Sequence, residues 1–577
     1  MTGGFKQRVY LPAEERPPLW VNVPPLPGRD HIVGREKLLD ELVRRLIAGQ
    51  STALSADGLP GVGKTTMALL LAYDARVRAH FTDGVLWAGL GTQPDIAGIQ
   101  AQWAQALSTD LSGTIDPAVR QARLSAAVSD CRVLVVLDDA WTPEAAEALR
   151  LSGPRVAHVL TTRNEDIARA FGGAASAVKV PVLDDATAWG LLQRLAPEAC
   201  AADPAAARRL ADAVGGLPLA VEMVGGYLAA PEHWRFSDLN QAALRELGDP
   251  RRRLALAQAR LGDASGAQQT LEAVIRLSAD DLLQLGEAGD RANRAFYALA
   301  ALAPKPATFD LAAAAAVADA DARTLALLAG RNLLDVGAGE WMAVHQVVHD
   351  VARMQLPPEA IERHRTYYLT LLNEDRQDWQ HIEQAFPQAQ HAWRGLPDDD
   401  DRIIEFVWAM RVYFERRGLG ADHLAWADRA LQLARRRNDD RAAATLLNNL
   451  GRVYAALGDK RKALDFYEQA LPLRRQVGDR GGEATTLNNL GGVYDALGDK
   501  RKALDFYEQA LELTRQVGDR WGESITRYNL AMVYEALGDL QRAEVELEIV
   551  VALDEAIEHP DLASDRAALE RVRAQRR

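Results

Sequence analysis

Gly58-Leu-Pro-Gly61-Val62-Gly63-Lys64-Thr65-Thr66 gathers three glycines, a lysine and two hydroxyls into one short stretch. The spacing fits the Walker A pattern. Glycines let successive backbone N–H groups curl around a phosphate. Lys64 would supply a point charge to the β- and γ-phosphates, and Thr65 would offer its hydroxyl to Mg2+. The chemistry expected is the binding of ATP or ADP. A second half is needed, and Val133-Leu-Val-Val-Leu137-Asp138-Asp139 supplies it as an apolar run ending in two carboxylates. Asp138 is expected to hold Mg2+ through water, and Asp139 to orient or deprotonate an attacking water. A strand ending in Asp-Asp is common by itself. Following a Walker A loop, it reads as a Walker B segment.

Positioning these groups requires a particular frame. Thr52–Ala56 reads as a strand before the loop and Met67–Leu71 as an apolar helix after it, so the helix N-terminus adds its dipole. Val85–Leu90, Val133–Leu137 and Val156–Thr161 read as further buried strands. Lys37–Ile47, Thr65–Ala79 and Leu124–Ser129 read as helices between them. Fully apolar strands separated by helices predict a parallel sheet covered on both faces.

The remaining sequence divides by composition. Residues 1–27, with prolines at 12, 17, 18, 24, 25 and 27, read as an arm or linker. The nucleotide domain is expected over 28–182 and a helical domain over 183–267. A winged-helix domain is expected over 268–356, with Trp341–Val344 pairing with Leu334–Val336. A helical connector over 357–402 leads to repeats over 403–577. The fold class is thus multidomain: an α/β P-loop NTPase, helical and winged-helix domains, then an all-α solenoid.

The repeats are explicit. LNNLGRVYAALGDKRKALDFYEQAL begins at Leu447, LNNLGGVYDALGDKRKALDFYEQAL at Leu487 and RYNLAMVYEALGDLQRAEVELEIVV at Arg527. An eroded copy lies one period earlier, aligning Ala409 with Asn449 and Gly418 with Gly458. Each unit is a helix, a Gly-Asp turn and a second helix. One unit cannot bury its apolar face alone, so the units must stack. Leu450, Gly451, Tyr454, Gly458, Ala463, Tyr467 and Ala470 form a pattern that resembles tetratricopeptide repeats of a longer-helix variety.

The composition excludes several classes. A net charge of −13 argues against a general nucleic-acid binder. Cys131 and Cys200 are the only cysteines, which predicts no disulfide framework and a reducing compartment. The N-terminus lacks the apolar segment of a signal peptide, and no apolar run reaches the ~18 residues that span a bilayer. A cytoplasmic protein that does not enter a membrane is expected. Abundant Ala and Arg with little Lys point to a GC-rich bacterial source.

The motifs follow one another in an ordered set. IVGRE at 32–36 precedes the P-loop; LVVLDDAW at 134–141, VLTTRN at 159–164, GGLPLA at 215–220 and VHQVVHDVA at 344–352 follow it. This set resembles the NB-ARC group of STAND signal-transduction ATPases. The resemblance implies that Ile32, Val33 and Arg35 line the adenine side, while Gly58, Gly61, Val62, Gly63, Lys64, Thr65 and Thr66 hold the phosphates. Arg163 would touch the γ-phosphate, where a guanidinium fork distinguishes ATP from ADP by charge and reach. Pro218 would pack on the base or ribose. His345 would hydrogen-bond the ADP β-phosphate and lock a closed form. Here the sequence departs from the family's Met-His-Asp pattern: Val344 replaces Met and Gln346 replaces Asp. His349 is a rival to His345, although the register favours His345.

In tetratricopeptide arrays the first helix of each unit lines a concave groove. Asn449, Asn489 and Asn529 recur there, and their amides suit the backbone of an extended peptide. Positions that differ between copies are candidates for selectivity: Arg452 with Gly492 and Met532, or Ala455 with Asp495 and Glu535. Charges from about 403 onward are nearly balanced, which favours a protein or peptide ligand over nucleic acid.

The family usually carries an effector domain. No catalytic Cys/His pair, metal cluster or Ser/His/Asp set stands out here. Either the effector is a separate protein, or the chain acts by assembly alone, or the sequence is part of a longer one. The expected function is an ATP/ADP switch. It rests closed with ADP, exchanges for ATP when its repeats bind a ligand, self-associates, and resets by slow hydrolysis. The alternatives are a transcription regulator of the same ATPase type and a passive repeat scaffold with a structural nucleotide.

Overall fold

A computed structural model describes residues 18–26, 33–55, 61–111, 113–173, 176–214, 216–229, 282–337, 341–374 and 378–577, with a few residues of 272–280. Ile32, Gly58 and all of 230–271 lie outside the described residues. The chain forms two compact units: residues 1–111 with 116–395, and residues 112–115 with 396–577.

The first unit is built on a parallel sheet. Its strands are β1 (Leu19–Val21), β2 (Thr52–Ser55), β3 (Gly84–Gly91), β4 (Val133–Ala140), β5 (Val156–Thr162) and β6 (Ala177–Lys179), in spatial order β1-β3-β4-β5-β2-β6. β3, β4 and β5 are almost wholly buried, as apolar runs without alternation require. Helices Ile96–Ala106, Pro117–Ala127, Pro143–Ala148 and Glu165–Gly172 bring Trp103, Leu124, Ala146 and Phe171 into the core with Leu86, Val135 and Leu160.

Two local expectations are corrected. The helix expected over Thr65–Ala79 is two helices, Lys64–Tyr73 and Ala75–His80. Asp74 adopts extended dihedrals between them and accepts the Arg76 N–H as an N-cap. Part of the expected N-terminal arm belongs to the sheet. β1 pairs with β3 in register Leu19↔Gly84 to Val21↔Leu86. Gly84 permits this, because a Cβ there would meet the Leu19 carbonyl oxygen at 2.0 Å.

Helices Asp185–Leu195, Pro197–Ala202, Pro204–Ala213 and Pro218–Ala229 follow. Pro218 opens the last of them, where a missing N–H costs nothing. Then come helices Glu287–Ala298, Leu311–Ala318 and Ala322–Gly330 and a small hairpin. The hairpin pairs β7 (Asp335–Val336) with β8 (Met342–Ala343), antiparallel, inside the segments expected to pair. Helices Gln346–Arg353, Pro358–Glu374 and Trp379–Arg394 complete the unit.

The second unit is all helical. Its pairs are Arg402–Arg417 with Gly420–Arg436, Asp440–Ala456 with Lys460–Gln476, Arg480–Ala496 with Lys500–Val517, and Arg520–Ala536 with Leu540–Ile557. A last helix spans Leu562–Arg576. The Gly-Asp turns work as two parts. Gly458 takes φ +83°, and Asp459 caps the next helix by accepting the Lys462 N–H. Gly451 is small for a different reason: a Cβ there would stand 2.6 Å from the Tyr467 ring. Among the described residues no helix is long and apolar enough to cross a membrane. Cys131 and Cys200 are free thiols.

Candidate nucleotide-binding site

The P-loop strand and the Asp-Asp strand are not neighbours. β5 lies between them and supplies the link. The β4–β5 ladder pairs Leu137 with Leu160 and Ala140 with Thr162, so Asp138 and Asp139 together face Thr161. Such a bulge re-aims side chains, and Asp139 takes φ +55° within it. The Thr161 hydroxyl donates to Asp138 Oδ1 at 2.6 Å and accepts the Asp139 N–H at 2.8 Å. One side chain thereby fixes the Asp138 carboxylate and the Asp139 backbone.

Asp138 Oδ1 also accepts the Thr65 hydroxyl at 2.9 Å. A hydroxyl and a carboxylate oxygen side by side are the kind of oxygen donors that a hard divalent cation takes, directly or through water. Thr65 and Asp138 therefore fit Mg2+. Burial, then Asp139, push the Asp138 carboxyl up to about 6 against its two hydroxyl donors and Lys64. A cation would relieve that cost.

Gly63 starts the P-loop helix in the left-handed region, φ +91°, and Gly61 takes φ +70°. Lys64 follows, 8% exposed. Burial, then the nearby Arg163 guanidinium, lower its ammonium to about 8. A desolvated cation held beside a second cation suits an anionic ligand. Arg163 lies over the Trp141 ring at 4.9 Å and pairs with Asp139 at 3.7 Å. The Trp141 indole donates to the other Asp139 oxygen at 3.0 Å.

Arg35 is expected on the adenine side, but both its terminal nitrogens bond backbone. One donates to the Val62 carbonyl in the P-loop and the other to the Pro181 carbonyl, each at 2.8 Å. It braces the loop, with Val33 two residues before it. Pro218 stands at a matching place, because the next residue's N–H, from Leu219, donates to the Gly61 carbonyl at 3.3 Å.

His345 caps the helix Gln346–Arg353, its Nδ1 accepting the Val347 N–H at 3.3 Å. That bond places the ring proton on Nε2. Burial, then Lys305 and Arg163, lower the imidazole to about 4 against the opposing pull of Asp335 and Asp139. His345 is thus a neutral donor within electrostatic range of the Asp139–Arg163 pair. His349 is 4% exposed, with Nδ1 3.9 Å from Asp350. Gln346 donates to Asp350 at 2.9 Å.

The asparagines singled out in the repeats have an architectural use. Asn489 donates to Asn448 Oδ1 and Asn529 to Asn488 Oδ1, each at 3.1 Å, so amides join successive units. Asn449 is 8% exposed. Three of the selectivity candidates, Arg452, Asp495 and Glu535, are paired inside the unit. Arg452 donates to Glu415, and Asp495 accepts Lys500 at 2.6 Å. Glu535 accepts Arg571 and Gln575 of the last helix, which covers it. Asn489, Asn529, Arg452, Asp495 and Glu535 thus bond neighbours within the stack. Thr161 and Trp141 are the site residues that pattern reading missed.

This geometry agrees with comparison to known proteins. Residues 35–201 match the NB-ARC domain model. Residues 413–476, 472–516 and 483–556 match a tetratricopeptide repeat model. The chain therefore contains a nucleotide-binding NB-ARC domain of the P-loop NTPase type and, after it, tetratricopeptide repeats.

Among particular relatives, the regulatory protein AfsR of Streptomyces griseus is 29% identical over 365 residues, 60% of this chain and 35% of that protein. AfsR of Streptomyces coelicolor is 34% identical over 53% of this chain and 30% of that protein. A probable disease resistance RPP8-like protein of Arabidopsis thaliana is 30% identical over 34% of this chain and 23% of that protein. The chain thus spans about a quarter to a third of the length of these relatives. A solved structure from Pyrococcus horikoshii, a signal transduction ATPase with numerous domains and a tetratricopeptide repeat sensor, is similar at 16% identity. That match covers 96% of this chain and 87% of that one, with a TM-score of 0.43.

Proposed function

We propose that the protein is an ATP/ADP-controlled switch whose repeats receive a protein or peptide ligand. The observation that carries this reading is the hydrogen-bonded set Thr65–Asp138–Thr161 beside the buried Lys64, with Arg163 paired to Asp139 next to it. Lys64, the P-loop amides and Thr65 would hold the β-phosphate and Mg2+, with Asp138 holding the ion through water. Bound Mg2+ would neutralise phosphate charge. His345 Nε2–H would donate to ADP from the closed arrangement.

In this arrangement Asp139 is held by Arg163 and Trp141, so neither the base nor the sensor is available. A γ-phosphate competes for Arg163 and frees Asp139. That exchange favours an open state only if ATP or the repeat ligand binds it better than the closed one. The open form would self-associate, and slow hydrolysis through Asp139 would reset it. The signal would pass through assembly or to a separate effector protein.

The test is nucleotide content and size. The purified chain should retain ADP, and Lys64→Ala should lose it. A non-hydrolysable ATP analogue with the repeat ligand should raise the mass in solution. Wild type and Lys64→Ala both failing to bind ADP or ATP would end the proposal.

A further inference from the structure

The repeat unit buries a donor set that the nucleotide chemistry does not use. Asp554 lies near the end of helix Leu540–Ile557, His559 in the following turn, and Asp565 in the first turn of helix Leu562–Arg576. One donor atom from each lies within 4.8 Å of the others. The residues are 0%, 7% and 6% exposed.

Asp554 Oδ2 and His559 Nε2 have no hydrogen-bond partner. Ser524 donates to the other Asp554 oxygen at 2.5 Å, which fixes the carboxylate and leaves Oδ2 bare. A buried acceptor without a partner costs about 1–3 kcal/mol, and more when charged. Two crowded carboxylates and an imidazole suit a divalent ion of the Zn2+ or Mn2+ kind.

We propose that Asp554, His559 and Asp565 bind a divalent transition-metal ion that fastens the last helix to the final full repeat. The carboxylates carry most of the affinity. His559 Nδ1 accepts the Asp561 N–H at 3.1 Å, and ligation through Nε2 moves the ring proton to Nδ1 at the expense of that bond. Ser524 orients Asp554 from behind, as outer partners of metal ligands do. The ion would hold in place the helix that covers Glu535.

The test uses the full chain, stripped with chelator and then supplied with excess Mg2+ and ADP to occupy the P-loop. Zn2+ or Mn2+ is added, and bound metal is counted by elemental mass spectrometry after equilibrium dialysis. Wild type should bind about one ion more per chain than Asp554→Asn or Asp565→Asn. Ser524→Ala should weaken binding by roughly ten- to a hundredfold. The Trp521 ring is 3.9 Å from that of His559, so the Trp521 part of the emission, isolated with Trp521→Phe, should change on titration. The Asn variants remove like-charge repulsion and keep the packing, and circular dichroism verifies their fold. Equal metal content in wild type and both Asn variants, or none in wild type, overturns the proposal.

Discussion

Asp138→Asn tests the electrostatics of the nucleotide site most directly. The wild-type carboxyl rises from 3.8 to about 6 on folding. The folded state then binds the proton more tightly than the unfolded state. Between those values the native chain carries more protons, so stability falls as pH rises through this window. Above about 6 the full cost is present, about 3 kcal/mol at 1.36 kcal/mol for each pH step. At pH 5 about half of it remains. Asparagine keeps an oxygen for the Thr65 and Thr161 hydroxyls and removes the charge. Without nucleotide or metal, the variant should therefore melt higher at pH 8. The gain is at most roughly 6–12 °C for a domain of this size, and about half that at pH 5. Calorimetry at the two pH values measures it. With Mg2+ and ADP the order should reverse, because only the wild type can repay the buried charge. A variant that is less stable than wild type at pH 8 without ligand would refute the reasoning. So would a gain equal at both pH values.

Other outcomes follow from the same contacts. His345→Asn keeps an N-cap acceptor but loses the Nε2 donor; ADP affinity should fall by about ten- to a hundredfold, a hydrogen bond to a charged group, as titration calorimetry would show. Trp141→Phe frees one Asp139 oxygen and should change the steady-state ATPase rate while leaving ADP affinity unaltered. Asn448→Ala removes the oxygen shared by Thr486 and Asn489; urea unfolding of the repeats should show a loss of about 1–3 kcal/mol.

Legibility in the sequence followed the distance over which each constraint acts. The phosphate loop and the Asp-Asp strand were readable because their chemistry lies in consecutive residues. The repeats were readable because Asp459–Leu471 recurs verbatim forty residues later. β1 was not, since Leu-Trp-Val between prolines has neither alternation nor length; it is a strand only because Gly84 lets β3 approach. Thr161 was quoted within a motif, yet its two hydrogen bonds, to the Asp138 carboxylate and from the Asp139 N–H, depend on a bulge between two strands, which one strand's sequence does not encode. The asparagine ladder joins residues 41 apart. Asp554, His559 and Asp565 meet across a turn between two helices, so no helical spacing announces them.

The amide ladder has a consequence for how this arm changes over generations. Asn448 meets Asn489 as Asn488 meets Asn529, at the same 3.1 Å. The seams are interchangeable. Deleting residues 480–519 would bring Asn448 against Asn529 with donor and acceptor already matched, and leave the terminal helix on its own neighbour. The near-identical stretches at either side are the substrate for unequal recombination. The repeat stack can thus shorten or lengthen by whole modules without redesigning a join, while the nucleotide-binding domain ahead of it stays the same.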